Sequence, residues 1–410
     1  MDARQQKALI IAATARIEKR GNEWTVPSQS RFGSSYTVAK AEGTVRCTCP
    51  DYEERQVACK HVIAVELVVR RETAPDGTVT ETRAARVTYT QNWPAYRAAQ
   101  VSEKEHFCKL LRDLCSNIPS PEPGRGRPRL PLADMIFSAA FKVYSTVSAR
   151  RFMTDLREAT AAGLIARTPC YNSIFNVIED ENVTPILYGL IEASAAPLAA
   201  VEEKFAVDST GFGTSQHFRY YSEKYGKEVT GRDWLKCHAM VGVKTNIVTA
   251  CKVTSRDYGD SPQLRELVRK TGERFTMKEI SADKAYLARD NQKFIVSQGA
   301  EPLIPFKSTS LPHPQTPLWN RLFHYFSMNR LEFLKRYHLR SNVEATFSAI
   351  KRVFGDSVRS KTRPAQINEV LLKVLAHNIR MLIHAMHDLG IAAELGCPKS
   401  PVSAQDIVLC

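Results

Sequence analysis

KFAVDSTGF, residues 204–212, marks the point where the sequence changes from helical to strand periodicity. Its apolar run is typical of a short, buried strand, and the strand ends at an acid, Asp208. Two β-rich segments follow at residues 233–243 and 247–255, and the residues between them, Lys244-Thr245-Asn246, predict a hairpin turn. Three strands in succession therefore predict a sheet in this half of the chain.

Strands and helices alternate downstream of this hairpin. A further strand, within KEISADKAY at residues 278–286, also ends at an acid, Asp283. Helices dominate from Leu318 onward. The order β-β-β-α-β-α-β, followed by helices, predicts a mixed sheet with helices packed against it. The remaining segments are helical at residues 261–272 and 288–299 and extended at residues 301–306.

Upstream of the sheet, residues 132–200 have helical periodicity. Three segments, LADMIFSAAFKVYS, SARRFMTDLREATAAG and TPILYGLIEASAAPLAAV, predict three helices with short connections. Such an array is similar to a helix-turn-helix bundle. We interpret residues 131–200 as a helical DNA-binding domain and residues 71–130 as a linker that contains one helix.

The chain is strongly basic. Its 410 residues include 57 Lys and Arg against 43 Asp and Glu, for a formal net charge of +14. The excess is concentrated between Arg321 and Arg380, where twelve basic residues accompany four acidic ones. A solubilising surface is the alternative, but this asymmetry favours binding to a polyanion, most often nucleic acid.

The sequence also indicates the cellular compartment. No stretch reaches the roughly 18 apolar residues of a membrane span, and the N-terminal 20 residues are too charged for a secretory signal. Ten cysteines in this length do not indicate a disulfide scaffold, and in a reducing compartment a tight cluster favours a metal site. We expect a cytoplasmic, nucleoid-associated protein with no membrane partner.

One such cluster is CTCPDYEERQVACKH, residues 47–61. Cys47, Cys49, Cys59 and His61 supply three thiolates and an imidazole, which suit the tetrahedral geometry of structural Zn²⁺. Four protein ligands leave no open position for a substrate, so we expect a structural site. The stretch resembles the SWIM zinc finger, a module associated with DNA or protein binding, and the sequence does not separate these two partners.

A basic segment, GRGRPRL at residues 124–130, lies between the predicted linker helix and the helical domain. Its core resembles an AT-hook, in which Arg125 and Arg127 would lie in a narrow minor groove. A solvated basic linker is an equally good interpretation of so short a motif.

A third acid lies in YHLRSNVEATFSAIKR, residues 337–352. On a helix, Tyr337, Arg340, Glu344 and Lys351 share one face. Carboxylates at two strand ends, together with one from a packed helix, can converge on Mg²⁺ or Mn²⁺. The basic neighbours, Arg352 included, would then hold phosphates of double-stranded DNA. The alternative is a common surface pair of a glutamate with the arginine one turn earlier.

The spacing Tyr337, two residues, Arg340, three residues, Glu344, six residues, Lys351 resembles the Y-(2)-R-(3)-E-(6)-K signature of the DDE transposases of bacterial insertion sequences. Asp208 and Asp283 resemble the first and second acids of that family. The resemblance covers about residues 130–385. It implies a ribonuclease H-like catalytic domain that cleaves transposon ends and joins the freed 3′-hydroxyl to target DNA. By the same resemblance, Asp208 would bridge two metal ions, and Asp283 and Glu344 would each hold one.

Two departures from the family accompany this resemblance. Ala285 stands where many relatives have glycine, and only 60 residues separate Asp283 from Glu344. That interval leaves little room for the large β insertion of some relatives. Trp319 lies in the interval and is a candidate for holding a flipped base, although packing is the favoured interpretation.

Together these features predict a multidomain α+β protein. We expect a DNA transposase that forms a homodimer or a higher oligomer on DNA. Three alternatives remain open: a structure-specific metal-dependent nuclease without strand transfer, a non-enzymatic DNA-binding protein derived from a transposase, and, more remotely, a zinc-organised protein-interaction hub. The expected domains are an N-terminal helix with a ββα, SWIM-type zinc finger (1–70), a linker with a helix and the basic AT-hook-like segment (71–130), a helical DNA-binding domain (131–200), a ribonuclease H-like mixed α/β catalytic domain (201–390) and a C-terminal tail (391–410).

Overall fold

The computed structural model describes residues 3–28, 34–41, 44–72, 92–119, 129–214, 233–393 and 395. The chain divides into two compact units. The first is drawn from residues 1–89, 282–293 and 303–338, and the second from residues 90–281, 294–302 and 339–410. Each unit is therefore assembled from segments that are distant in the sequence.

The N-terminal module contains a small sheet and three helices. Its elements are α1 (Ala3–Thr14), β1 (Glu18–Arg20), β2 (Glu23–Pro27), β3 (Ser35–Ala41), β4 (Thr44–Cys47), α2 (Pro50–Arg55) and α3 (Lys60–Glu72). The strands lie in the order β1-β2-β3-β4, and each neighbouring pair is antiparallel. The predicted ββα arrangement is thus too small. Strand β1 is polar and exposed throughout, so it lacks the alternation that reveals a strand in a sequence.

Six helices lie between the N-terminal module and the second sheet in the described residues. They are α4 (Trp93–Val101), α5 (Glu103–Cys115), α6 (Leu132–Ser145), α7 (Ala149–Ala161), α8 (Tyr171–Glu179) and α9 (Val183–Ala195). The sequence predicts three helices between residues 131 and 200, whereas the structure has four. The additional helix is α8, which is short and buries only Ile174 and Ile178. The predicted linker also contributes to the core, because α5 buries Phe107 and Leu111.

The second sheet has five strands in the order β7-β6-β5-β8-β9. Its elements are β5 (Lys204–Gly213), β6 (Trp234–Gly242), β7 (Val248–Ser255), α10 (Leu264–Gly272), β8 (Glu279–Ala282), α11 (Arg289–Ser297) and β9 (Glu301–Leu303). The predicted order of strands and helices is confirmed. Strands β5, β6 and β7 pair antiparallel, and the tight turn between β6 and β7 contains Asn246 at a positive φ of 60°.

A buried carboxylate fixes this hairpin turn. Glu202 is 1% exposed and accepts hydrogen bonds from the backbone N–H of Lys244 and from both the backbone N–H and the hydroxyl of Thr245. Gly242 leaves room for it, since a Cβ there would lie 2.5 Å from the Glu202 carboxyl carbon. The turn is therefore set by a residue that precedes the whole sheet.

Four helices complete the described chain. They are α12 (Pro317–Met328), α13 (Arg330–Tyr337), α14 (Ser341–Phe354) and α15 (Arg363–Leu389). The expectation of one helix through residues 337–352 is wrong, because a 3₁₀ turn, His338–Arg340, separates α13 from α14. Helix α15 packs against five of the six helices from α4 to α9 and against β7. Among the described residues, no helix has both the length and the apolar character needed to cross a membrane.

Candidate metal centres

The four predicted zinc ligands converge in the N-terminal module. Cys47 ends β4, Cys49 caps the N-terminus of α2, Cys59 directly precedes α3, and His61 lies in the first turn of α3. Cys47 and Cys49 are two positions apart and would share one face of an ideal strand, and the turn that begins at Pro50 leads to the second pair, Cys59 and His61. All four are at most 4% exposed.

The distances among these residues fit a tetrahedral ion. The ligand atoms all lie within 4.8 Å of one another, and the Nδ1 atom of His61 is 3.8 Å from the sulfur atoms of Cys47 and Cys59. Zinc–sulfur bonds of about 2.3 Å at tetrahedral angles separate ligand sulfurs by roughly 3.8 Å. The residues therefore fit structural Zn²⁺, and Nδ1 of His61 is the nitrogen that would bind it.

The thiols already differ in acidity. Hydrogen bonds from Cys47, and then from His61, lower the pKa of Cys59 to about 3. The hydrogen bond with Cys59 and burial raise the pKa of Cys47 well above its ordinary value. Cysteine binds Zn²⁺ as the thiolate, so the lowered pKa of Cys59 favours its role as a ligand.

A second group of residues joins Asp208 and Glu344 in the second unit. Asp208 lies in β5 opposite Ala239 of β6, and Glu344 lies in the first turn of α14. The guanidinium of Arg340 donates to Oδ2 of Asp208 at 2.6 Å and to Oε1 of Glu344 at 2.5 Å. Two of the three predicted acids are therefore brought together, with a cation between them.

These carboxylates differ in exposure. The side chain of Asp208 is 23% exposed and that of Glu344 is 57% exposed, whereas the bridging Arg340 side chain is 18% exposed. Oδ1 of Asp208 also accepts the backbone N–H of Ser209 at 2.8 Å. Oxygen ligands in this setting suit a hard divalent cation such as Mg²⁺ or Mn²⁺.

A polar cluster that the sequence did not predict lies next to Ser209, whose side chain is on the opposite face of the sheet from Asp208. His238 pairs with Ser209 across the sheet, and its Nδ1 is 3.2 Å from Asp260, which also binds Lys236 at 2.9 Å. Burial lowers the pKa of His238 to about 4, so the imidazole is neutral near pH 7. Although burial raises it, hydrogen bonds from Lys236 and Ser209 hold the pKa of Asp260 below its ordinary value. In the sequence, the alternation of Lys236 and His238 along β6 could have indicated this cluster.

Asp283 and Tyr337 belong to the first unit. Asp283 directly follows β8 in extended conformation and is half-buried, and its carbonyl accepts the backbone N–H of Tyr286. Tyr337 is the last residue of α13, where its ring stacks on Phe333 with 5.8 Å between centroids. Asp283 thus keeps the predicted position immediately after a strand.

The predicted DNA-contacting cations have different surroundings. The ammonium of Lys351 lies 5.5 Å from the ring centroid of Phe212, and burial lowers the pKa of this lysine. Arg352 is exposed on the same helix. Arg125 and Arg127 lie outside the described residues. Lys351 is therefore held by packing, whereas Arg352 faces solvent.

Trp319 packs within its own unit. Its indole N–H donates to the carbonyl of Leu311 at 2.9 Å, and its ring lies edge-on to Phe306 with 4.8 Å between centroids. The guanidinium of Arg289 lies 5.4 Å from the indole. These contacts agree with the packing interpretation.

Two segments of the chain match families of known domains. Residues 200–379 match the family described as transposase DDE domain. Residues 36–69 match the family described as SWIM zinc finger. No curated protein matches the chain. The resemblances to a DDE transposase and to a SWIM zinc finger are confirmed, and the matched segments include the three acids and the four candidate zinc ligands.

Proposed function

From a transposase DDE domain at residues 200–379 and a SWIM zinc finger at residues 36–69, we propose that this protein is a DNA transposase. It would cleave the ends of a mobile element and join the freed 3′-hydroxyl to target DNA. The observation that carries the proposal is the bridge from Arg340 to Asp208 and Glu344, at 2.6 and 2.5 Å. It brings a strand carboxylate and a helix carboxylate within reach of one cation.

Asp208, Asp283 and Glu344 would hold the catalytic Mg²⁺ or Mn²⁺. Such ions, when bound, would supply activation of the attacking oxygen and stabilisation of the leaving oxygen of a phosphodiester. The order of the five-stranded sheet, β7-β6-β5-β8-β9, supports a ribonuclease H-like catalytic domain, because β5 and β8, the strands of the first two acids, are neighbours in it.

Arg340 would have two partners in turn. Without metal it neutralises Asp208 and Glu344 through charge-assisted hydrogen bonds. If the carboxylates held a divalent cation, the guanidinium of Arg340 would be available to a DNA phosphate, which arginine can bind in bidentate fashion. The same residue would thus keep the acids together and later position the strand to be cut.

The basic residues around this site would bind double-stranded DNA. Arg352 is exposed on α14, and Tyr337 and Lys351 complete the signature. Phosphate contacts of this kind fix the position of a duplex without reading its sequence. The protein would act on the chromosome in the cytoplasm, as a homodimer or higher oligomer that pairs two element ends.

A strand-transfer assay tests the proposal. Purified protein, Mg²⁺ or Mn²⁺, a labelled duplex carrying the sequences that flank its gene, and a supercoiled plasmid would be combined. Joining of label to plasmid is the expected result. Cleavage without joining would indicate a metal-dependent nuclease, and binding without cleavage would indicate a DNA-binding protein. Asp257→Asn is the control for loss of a carboxylate outside the proposed site, since the Asp257 side chain is 81% exposed in a loop. It should cleave and join DNA as the wild type does.

A further inference from the structure

Helix α1 has apolar residues on two faces. Ala8, Ile11 and Ala12 are at most 1% exposed and belong to the core of the N-terminal module. Ile10 is 5% exposed and belongs to a different core, formed with Leu303, Phe306 and residues of α12 and α13. One helix therefore contributes to both cores of the first unit.

A half-buried cation, Arg330, adds a polar contact between α1 and α13. Nη1 of Arg330, at the start of α13, donates to the carbonyl of Ala12 at 3.0 Å. Burial lowers the pKa of Arg330. A cation at the C-terminal end of a helix satisfies carbonyls that have no partner within the helix and interacts favourably with the helix dipole. Helix α1 is thus fixed to α13 by a directional bond as well as by apolar packing.

One face of α1 packs in the core that contains the candidate zinc ligands. The core that contains Ala8, Ile11 and Ala12 also contains Cys47, Cys49 and Cys59, together with Val62 and Val65 of α3. Helix α1 packs directly on α3, which begins one residue after Cys59. Displacement of these ligands would therefore change the surface on which α1 rests.

The other apolar face of α1 packs in the core against which Tyr337 lies. Phe326 of α12 lies 4.9 Å from Phe333 of α13, centroid to centroid, and the ring of Phe333 stacks on Tyr337 at 5.8 Å. Ile10 belongs to the same core as Phe326 and Phe333. Packed side chains thus connect the zinc ligands to the last residue of α13 without interruption within the first unit.

We infer that the zinc module is docked on helices α12 and α13 through α1, and that zinc binding holds α13 and Tyr337 in place. The zinc module would therefore bind other helices of its own chain. A zinc finger that reads DNA as an independent unit would need neither Ile10 in a second core nor the bond from Arg330. The docking does not depend on the chemistry proposed above, because every contact that supports it lies outside Asp208, Asp283 and Glu344.

Hydrogen exchange of the full-length protein, followed by mass spectrometry, tests this inference. Three variants are compared with the zinc-loaded wild type. Cys59→Ser removes a ligand, Ile10→Ala removes the docking side chain and leaves all four ligands, and Lys7→Ala changes an exposed position of the same helix. Zinc content is measured for each protein.

Cys59→Ser should lose zinc, and Ile10→Ala should retain it. Both should accelerate exchange in residues 317–337 by about tenfold or more, since loss of a buried contact raises the population of locally open states. Peptides from residues 204–213 and 248–255, in the other unit, should exchange as in the wild type, and Lys7→Ala should have no effect. Unchanged exchange in residues 317–337 for either of the first two variants would overturn the inference, as would uniform acceleration throughout the chain.

Discussion

The guanidinium of Arg340 lies 2.6 Å from the carboxylate of Asp208, a residue 132 positions earlier in the chain. The same guanidinium binds Glu344 one turn later. Arginine is therefore the internal counter-ion of two carboxylates that also suit a divalent metal. Its charge stabilises the acids where they are, and it competes with any cation that approaches them.

Replacing Arg340 should strengthen metal binding. In Arg340→Gln, the two charge-assisted hydrogen bonds that a metal ion must displace are lost. Such bonds contribute about 1.5–3 kcal/mol each, so we expect Mn²⁺ to bind roughly tenfold tighter or more. Electron paramagnetic resonance of free Mn²⁺ during a titration measures the dissociation constant directly.

The control for this experiment is Arg352→Gln, which removes an exposed arginine from the same helix. It should leave the Mn²⁺ dissociation constant within about twofold of wild type, because exposed charges are screened by solvent and salt. Weaker Mn²⁺ binding by Arg340→Gln would contradict the role of Arg340 as a competing counter-ion.

The hairpin turn offers a prediction on stability. In Gly242→Ala, the new Cβ would lie 2.5 Å from the carboxyl carbon of Glu202 and displace the acceptor of the turn. Overpacking of this kind lowers the free energy of unfolding by about 1–3 kcal/mol. Gly189→Ala in α9 is the matched control, because its Cβ meets nothing within 4 Å.

Gly189→Ala should be neutral or stabilising by about 0.5–1 kcal/mol, the difference in helix propensity between alanine and glycine. Urea denaturation followed by circular dichroism measures both variants. Equal stability of Gly242→Ala and wild type would show that the Glu202 carboxylate does not fix this turn.

A buried histidine predicts a dependence of stability on pH. Burial lowers the pKa of His377 to about 4, and its Nε2 donates to the carbonyl of Asn246 at 2.9 Å. The unfolded chain, with a histidine pKa of about 6.5, binds more protons between these two values. The stabilisation is thus fully present above pH 6.5 and is lost as the pH falls towards 4.

In His377→Gln, the free energy of unfolding should depend less steeply on pH between 4 and 6.5. The slope should fall by up to about 1.4 kcal/mol per pH unit, the value for one proton. Urea denaturation at a series of pH values gives this slope. His238, whose pKa burial also lowers to about 4, is present in both proteins, so their difference isolates His377. Identical slopes would contradict a neutral, buried His377.

Local patterns were sufficient for part of this architecture. The four candidate zinc ligands lie within 15 residues, so their spacing alone predicted the cluster. Strands β5 to β7 have apolar runs bounded by a recognisable turn, and their order was predicted correctly. Strand β1 and helix α8 were missed because the first is exposed throughout and the second is nine residues long with two buried side chains.

The features that the sequence did not predict depend on contacts between residues far apart in the chain. The 3₁₀ turn that separates α13 from α14 interrupts a sequence with unbroken helical periodicity, and Arg340 in that turn binds Asp208 on a distant strand. The first unit joins residues 1–89 to residues 303–338, more than 200 positions away. No periodicity in either segment encodes that association, which depends on Ile10 in a core built by α12 and α13.

The most direct test of the central claim is strand transfer by Glu344→Gln. This change keeps the size of the side chain and its ability to accept a hydrogen bond, but it removes the charge that a metal ion requires. Wild type should nick the labelled end and join it to plasmid, whereas Glu344→Gln should bind the same DNA in a mobility-shift assay and do neither. Equal cleavage and joining by both proteins, on DNA that both bind, would contradict a metal-binding role for Glu344.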